Sequence, residues 1–418
     1  MLLKKRIFAA LLLLSMLVSI VAMSGCTNIS ADNVAEGVVP GQVSGKNTDQ
    51  TFENSSADFA MKLFRAAAKG KNNVLVSPLS VMIALSMTAN GAKGETKEQM
   101  EALLGGGMDI ETLNEYLYTY LKNLPTEEKA RLVLANSVWF RDSEHLEVNR
   151  EFLQKNADYY SADVYKAPFD KQTRDDINLW IEQNTDGMIK KMLDEIDDDV
   201  VMYLINTVLF DAEWRDIYFE NQIRDGYFTS DAGSKKKVSM MHSTECGFID
   251  DGKATGFVKA YKGGYSFVAL LPNEGVSLDG YLDSLTGEGF LSAVRNAKNE
   301  KVIATMPKFE YDYKVEMKEM LESLGMVVPF DSLKADFSGL AASSDGNIYI
   351  NRVIHQTHIT VDEKGTKAGA ATIVEMCDES AEYTENIHTV TLDRPFVYAI
   401  IDDATGLPLF VGTVTDIG

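Results

Sequence analysis

The sequence IHQTHITVDEKGTKAGAATIVEMC, residues 354–377, joins a strand-like run to a second strip with strand periodicity. Gly365 separates the two and gives the backbone freedom to turn. Side chains of a strand face opposite sides in alternation. From residue 366 one face carries only small or apolar side chains, namely Thr366, Ala368, Ala370, Thr372, Val374 and Met376. The other face carries both charges of the strip, and the alternation fails at Asp378. Strip 366–377 can therefore form a strand with one buried face, and a surface loop with accidental alternation is the alternative.

The composition of the 418-residue chain is that of an ordinary globular protein, with 45% hydrophobic and 24% charged residues. The net charge of −22 argues against nucleic acid and anionic polysaccharide as partners, because both are bound through Lys and Arg. Length alone favours two or three domains. No second linker follows residue 52, so we predict one domain over 53–418.

The N-terminus has the features of a secretory signal. Lys4, Lys5 and Arg6 precede an apolar run over 7–23, which meets Ser24-Gly25-Cys26. We predict a signal peptide over 1–25 and a flexible tether over 26–52, the latter from its Ser-, Asn- and Gly-rich composition. Cys26 after Ser-Gly resembles the lipidation site of bacterial lipoproteins. An ordinary signal peptide with an incidental cysteine is the alternative, and the apolar run is short for a bilayer-spanning helix of ~20 residues.

Hydrophobic periodicity and capping residues place the remaining elements. Ser77 and Pro78 are typical of a helix start, and the helix that follows is apolar almost all round. Further helices are predicted near 95–104, 110–123, 149–160, 173–193 and 314–324. Strands are predicted at 131–140, 201–210, 265–271, 348–361, 395–401 and 407–414. Helices dominate early and strands late, so the pattern predicts an α+β fold with a large sheet.

Six segments in one order resemble the serpin family. They are 73–100 (NVLVSPLSVMIALSMTANGAKGETKEQM), 177–193 (INLWIEQNTDGMIKKML), 204–214 (LINTVLFDAEW), 307–330 with 335–340 (ADFSGL), 354–372, and 394–414 (RPFVYAIIDDATGLPLFVGTV). The resemblance covers about 53–418. It implies the serpin fold, about eight to nine helices around three β-sheets with an exposed reactive-centre loop.

The resemblance also implies an activity and roles for particular residues. The chain would be a suicide-substrate inhibitor of serine-type endopeptidases, and also of cysteine peptidases, rather than an enzyme, with no cofactor and no metal. Its hinge would comprise Glu363, Gly365, Thr366, Ala368, Ala370 and Thr372. Ser77, Ser80, Asn206 and His355 would form a hydrogen-bond cluster under the main sheet, with Trp214 near the top of that sheet. A non-inhibitory serpin that acts as a binding protein is the alternative.

The scissile bond is predicted from the length of the loop. In the family it lies a near-fixed distance beyond the hinge glutamate, which places it at Glu379–Ser380, flanked by Asp378 and Ala381. Counting back from Pro395 gives Thr384 instead, so the loop carries about five extra residues. No Lys or Arg occurs between Ala368 and Asp393, so a trypsin-like protease should find no bait there.

The other functional classes lack their motifs. No G-x-S-x-G, H-E-x-x-H or P-loop sequence occurs. A thiol site that pairs Cys246 or Cys377 with a histidine is the remaining enzyme alternative. We expect a monomer whose partner is the target protease. We also expect it to be secreted and to touch a membrane only through a lipid anchor on Cys26 at the bacterial cell surface.

Overall fold

The computed structural model describes residues 29–33, 38–70, 72–366 and 386–417. Several predicted functional residues lie outside these ranges. They are Cys26, Ala368, Ala370, Thr372, Cys377, Asp378, Glu379, Ser380 and Ala381.

The α-helices of the described residues start at polar caps wherever the sequence supplies them. Asp49 accepts hydrogen bonds from the amides of Thr51 and Phe52, and the Ser77 side chain caps the helix that begins at Pro78. The helices are α1 (Gln50–Ala68), α2 (Pro78–Ala89), α3 (Gly94–Gly105), α4 (Ile110–Asn123), α5 (Arg150–Tyr160), α6 (Lys171–Asn184), α7 (Leu278–Ser284), α8 (Gly287–Arg295) and α9 (Lys318–Ser323).

The strands of the described residues form three large sheets and one two-stranded ribbon. They are β1 (Asp32–Asn33), β2 (Val74–Val76), β3 (Ala130–Arg141), β4 (Leu146–Val148), β5 (Asp163–Ala167), β6 (Met202–Glu213), β7 (Ile223–Thr229), β8 (Lys235–Glu245), β9 (Phe248–Asp250), β10 (Ala254–Ala260), β11 (Tyr265–Pro272), β12 (Lys301–Pro307), β13 (Phe309–Glu316), β14 (Ala341–Ser343), β15 (Ile354–Val361), β16 (Gly365–Thr366), β17 (Ile387–Thr391), β18 (Phe396–Asp402) and β19 (Pro408–Val414).

The sheet orders define the layers of the molecule. The seven-stranded sheet runs β1-β5-β3-β6-β16-β15-β13, the six-stranded sheet β2-β19-β18-β11-β10-β9, and the four-stranded sheet β17-β12-β8-β7; β14 pairs with β4. The main core lies between the six- and seven-stranded sheets and includes Phe210, Phe267 and Tyr398. A second apolar cluster, with Trp139 and Trp180, lies where α6 covers the other face of the seven-stranded sheet. The predicted α+β class is confirmed.

Three predicted element boundaries are wrong. The helix predicted over 173–193 ends at Asn184, because Asp186 and Gly187 have left-handed backbone angles with φ of 48° and 76°. The helix predicted over 314–324 is reduced to α9, because residues up to Glu316 pair with β15. The strand predicted from residue 348 begins only at Ile354.

The segment assigned to the tether contacts the folded body at several points. Strand β1 adds to the edge of the seven-stranded sheet by pairing with β5. The amides of Ser30 and Ala31 both donate to Asp176 Oδ2 at 3.0 Å. In the described residues, no helix combines the length and the apolar character that a bilayer crossing needs.

Candidate functional site: the hinge and the seam of the seven-stranded sheet

The seven-stranded sheet has a seam between β6 and β15. At its top, β16 pairs with both neighbours, Gly365 with Glu213, and Thr366 with Ala212 and Val361. Below Thr366, no strand of the described ranges lies between β6 and β15, and no ladder joins the two directly. Facing edges of two strands present rows of backbone donors and acceptors, a template for a further strand. The seam therefore has room and hydrogen-bonding capacity for one more strand.

The lower half of the seam is a cavity of about 600 Å³. Its walls include the start of β6, the start of β15 and residues of α2, with Ser80, Asn206, His355 and Gln356 among them. Asn206 Oδ1 and Gln356 Oε1 on these walls, and Thr207 Oγ1 next to Asn206 in β6, are buried without a hydrogen-bond partner among the described residues. Buried polar atoms in native proteins rarely lack a hydrogen-bond partner. These unpaired oxygens therefore indicate that the seam can form hydrogen bonds with a further strand.

Trp214 holds the turn that leads into β16. Its backbone amide donates to Lys364 O, and its indole Nε1 donates to Asp362 O, each at 2.8 Å. The indole ring is fully buried and stacks on Tyr261 with ring centroids 4.3 Å apart. The amide of Tyr218 donates to Glu363 O at 2.9 Å. Residues 362–364 are thus fixed by backbone contacts with Trp214 and Tyr218.

The side chain of Glu363 forms an ion pair with Lys308. The hydrogen bond from Lys308 is the main cause that lowers the pKa of this carboxyl below its ordinary value. Glu213, on the neighbouring strand, is paired with Lys129 at 3.2 Å and Lys262 at 3.1 Å. Glu213, directly before Trp214, therefore has two cationic partners from other parts of the chain.

Gly365 is required at its position by close approach of the neighbouring strand. A Cβ atom there would lie 2.0 Å from Ala212 O, which no side chain can tolerate without displacement of β6. Next to it, Thr366 is only 4% exposed, and its Oγ1 lies 2.6 Å from the hydroxyl of Tyr261. Burial raises the pKa of Tyr261 far above its ordinary value, so this hydroxyl stays protonated. Thr366, the first residue of the predicted buried face, therefore lies on the interior side of the sheet.

Three members of the predicted cluster are joined by hydrogen bonds. The amide of Ser77 donates to His355 Nε2 at 3.1 Å, and the hydroxyl of Ser77 donates to Leu409 O at 2.8 Å. The amide of Ser80 donates to Ser77 Oγ at 3.3 Å. Because His355 is buried, its pKa is lowered from 6.5 to about 4. The imidazole is therefore neutral at physiological pH and acts as an acceptor.

Asn206 lies on the other side of the seam with different partners. Its Nδ2 donates to Asn136 Oδ1 at 2.7 Å, and Asn136 Nδ2 donates to Tyr160 O at 2.7 Å. The predicted group is thus divided by its hydrogen bonds, because Ser77 bonds to Ser80 and His355 whereas Asn206 bonds to Asn136. Asn136, Tyr261 and Lys308 were missed by sequence reasoning. They contact the site from strands far away in the chain, and no local motif marks them.

The burial of His355 predicts acid lability of the uncleaved protein. The pKa is lower in the folded state than in the unfolded state, so the unfolded chain binds the extra proton as the pH falls below 6.5. Stability is therefore lost from 6.5 down to about 4, by about 3 kcal/mol from this group. His355→Gln keeps an acceptor for Ser77 and cannot titrate. Between pH 7 and pH 4 the denaturant midpoint should fall less in this variant than in the wild type. Equal falls in the two proteins would contradict the assignment.

Among the described residues, the His, Cys and acidic side chains that could support other chemistry are not assembled into a metal site. In the described part of the chain, no group of three His, Cys, Asp or Glu side chains is placed to hold a metal ion. Cys246 is exposed, and Cys377 lies outside the described ranges. His388 stacks on Phe248 and contacts Glu300 at 2.6 Å.

Comparison with known proteins identifies the family. Residues 54–417 match the family described as Serpin (serine protease inhibitor). The chain is a serpin.

Solved serpin structures resemble this chain closely. The native state of tengpin, a thermophilic serpin, is 49% identical, with a TM-score of 0.87 over 93% of this chain and 100% of that one. The latent state of tengpin is 46% identical, with a TM-score of 0.81 over 90% and 100% of the two chains. Alpha-1-antiproteinase of Rattus norvegicus is 27% identical over 88% of this chain and 90% of its own length. Serpins are in general protease inhibitors rather than catalysts, and this is the general function of the family to which the chain belongs.

Proposed function

We propose that this serpin is a single-use inhibitor of serine-type endopeptidases, with cysteine peptidases as further targets. The observation that carries the proposal is the seam, because Thr366 is already seated as the first residue of a strand that can continue between β6 and β15. The nucleophile of the target attacks the carbonyl carbon of Glu379, and the amide bond to Ser380 breaks. The Ser380 nitrogen leaves as a protonated new N-terminus, and the Glu379 acyl group stays bound as an acyl-enzyme. Strip 366–377 then fills the seam and carries the bound protease with it.

The sequence of strip 366–377 favours its insertion between β6 and β15 with one particular face toward the interior. Thr366 faces the interior, so the even-numbered residues that follow share its side in a regular strand. These are the small and apolar members of the predicted buried face, Ala368, Ala370, Thr372, Val374 and Met376. Bulky or proline residues there would obstruct insertion, and none occurs. This favours an inhibitor over a serpin that only binds.

The proposed bait bond is Glu379–Ser380, with Asp378 and Ala381 beside it. Acidic residues at this point suit a protease that accepts them, and the absence of Lys and Arg between Ala368 and Asp393 excludes a trypsin-like target. We further propose that a signal over residues 1–25 directs secretion and that Cys26 carries the lipid anchor.

The experiment is incubation with a panel of proteases of different specificity. A target should yield a covalent complex that survives SDS, and N-terminal sequencing of the released C-terminal fragment should begin at Ser380. Trypsin should give no complex. Cleavage by every protease without any SDS-resistant complex would overturn the inhibitor function.

A further inference from the structure

A buried ion pair lies next to the segment that holds the hinge. Lys259 on β10 and Glu245 at the end of β8 have side chains that are only 2% and 6% exposed, and Lys259 Nζ lies 2.9 Å from Glu245 Oε1. Strand β10 belongs to the six-stranded sheet and β8 to the four-stranded sheet. The pair therefore joins two sheets at a place that water does not reach.

The ammonium of Lys259 contacts segment 214–218 at three points. Nζ donates a hydrogen bond to Asp216 O at 3.1 Å. It also lies 5.3 Å from the centroid of the Trp214 ring and 4.4 Å from that of the Tyr218 ring. A cation within about 6 Å of an aromatic ring is attracted to it, most strongly where water is excluded. One buried cation therefore binds the middle of the segment and both of its aromatic side chains.

Segment 214–218 in turn holds the backbone of the hinge. Trp214 and Tyr218 together donate three hydrogen bonds to carbonyl oxygens of residues 362–364, at 2.8 to 2.9 Å. These bonds fix the residues that lead into Gly365 and Thr366, which pair with β6 at the top of the seam. The contacts thus form a continuous path from the ammonium of Lys259 to the start of the inserting strand.

Stability alone does not account for the buried pair. Removing an ammonium and a carboxylate from water costs much of the free energy that their attraction returns, and apolar side chains often replace such pairs without loss of stability. A buried ionic group can instead select one arrangement of its neighbours. The neighbours of Lys259 are the residues that hold the hinge.

We propose that Lys259 is a positioning residue for insertion, which keeps Thr366 seated at the top of the seam by holding segment 214–218. The inference rests on the proposed insertion mechanism and assigns it a positioning group outside the seven-stranded sheet. Without the ammonium, the segment has other arrangements, and Thr366 is seated for a smaller fraction of the time. The insertion rate should fall in proportion to that fraction. The stability of the inserted state should not change.

The test replaces the pair by Lys259→Met with Glu245→Leu, so that no charge is left buried alone. The melting temperature of the uncleaved variant should not fall by more than about 4 °C. The amides of Trp214 and Tyr218 should nevertheless exchange with solvent at least about tenfold faster. With a trapped protease in quenched flow, the SDS-resistant complex should form about three to ten times more slowly. A role in stability alone would change the melting temperature and leave the rate of complex formation unaltered.

Two further variants complete the comparison. Lys237→Met with Asp225→Leu removes an exposed ion pair that joins β8 to β7, and it should behave like the wild type in all three measurements. Lys259→Met with Glu245→Gln keeps the buried group polar and uncharged, and it replaces the first variant if that protein does not fold.

The outcomes separate this inference from the proposed function. If the wild type forms no SDS-resistant complex with any protease, the inhibitor function fails, and the exchange of the two amides alone decides whether Lys259 holds the segment. If the wild type forms the complex and the Lys259 variant forms it at the same rate, only the positioning role fails. Unchanged exchange of the Trp214 and Tyr218 amides would also overturn that role.

Discussion

Cleavage of the loop between Thr366 and Asn386 is expected to raise the melting temperature of this serpin by at least about 10 °C. A strip of about 12 residues that enters the seam forms roughly a dozen to twenty backbone hydrogen bonds, worth on the order of 10–20 kcal/mol at ~0.5–1.5 kcal/mol each. It also covers the cavity of about 600 Å³ and the unpartnered oxygens of Asn206, Thr207 and Gln356. The uncleaved state is then metastable and persists because of a kinetic barrier.

Calorimetry or circular dichroism of the intact and loop-cleaved proteins measures this change. Mass spectrometry should show that the two fragments remain associated and that the cut lies within the loop. A protease that cuts only before residue 29 provides a control for the effect of backbone cleavage outside the loop. That product should have the melting temperature of the intact chain. If loop cleavage leaves the melting temperature unchanged, the strip does not enter the sheet and the inhibitor mechanism is wrong.

Much of the fold could be predicted from the sequence because its patterns are local. The apolar runs at 265–271, 395–401 and 407–414 are buried strands, and Ser77-Pro78 does start a helix. One of the three boundary errors occurred where tertiary pairing overrides propensity. Residues 314–316 were predicted to start a helix, yet they form the end of β13 because β15 pairs with that strand along its full length.

The candidate site was predictable only in part, for the same physical reason. The alternation beyond Gly365 points to an inserting strand, and the buried Thr366 occupies the face that the alternation assigns to the interior. The partners of the hinge could not be found in this way. Lys308 is 55 residues from Glu363 in the chain, and Tyr261 is 105 residues from Thr366. Contacts of such separation depend on the sheet order, which a single sequence does not encode locally.

Thr366→Arg should convert the inhibitor into a substrate. The void next to Thr366 is lined by Phe210, Ile359 and other side chains that include no carboxylate among the described residues. A guanidinium there would be buried without a counter-ion, which costs several kcal/mol. In the uncleaved variant we therefore expect residue 366 to leave the interior, so that insertion has to bury the charge. A barrier about 3 kcal/mol higher slows insertion by a factor of about 100. The acyl-enzyme then hydrolyses before the strip enters, so the number of inhibitor molecules consumed per protease should rise at least about tenfold.

The matched control is Thr366→Ser, which keeps the hydroxyl that contacts Tyr261 and should leave the stoichiometry close to that of wild type. Both variants should be cut by the target at similar rates, because the substitution lies far along the chain from Glu379–Ser380. Only the arginine variant should lack the SDS-resistant complex and the gain in melting temperature after cleavage. Because inhibition and stabilisation both require residue 366 to lie in the interior when the strip is inserted, they should be lost together. An arginine variant that keeps the complex, or that still gains stability when cut, would show that insertion does not require residue 366 in the interior.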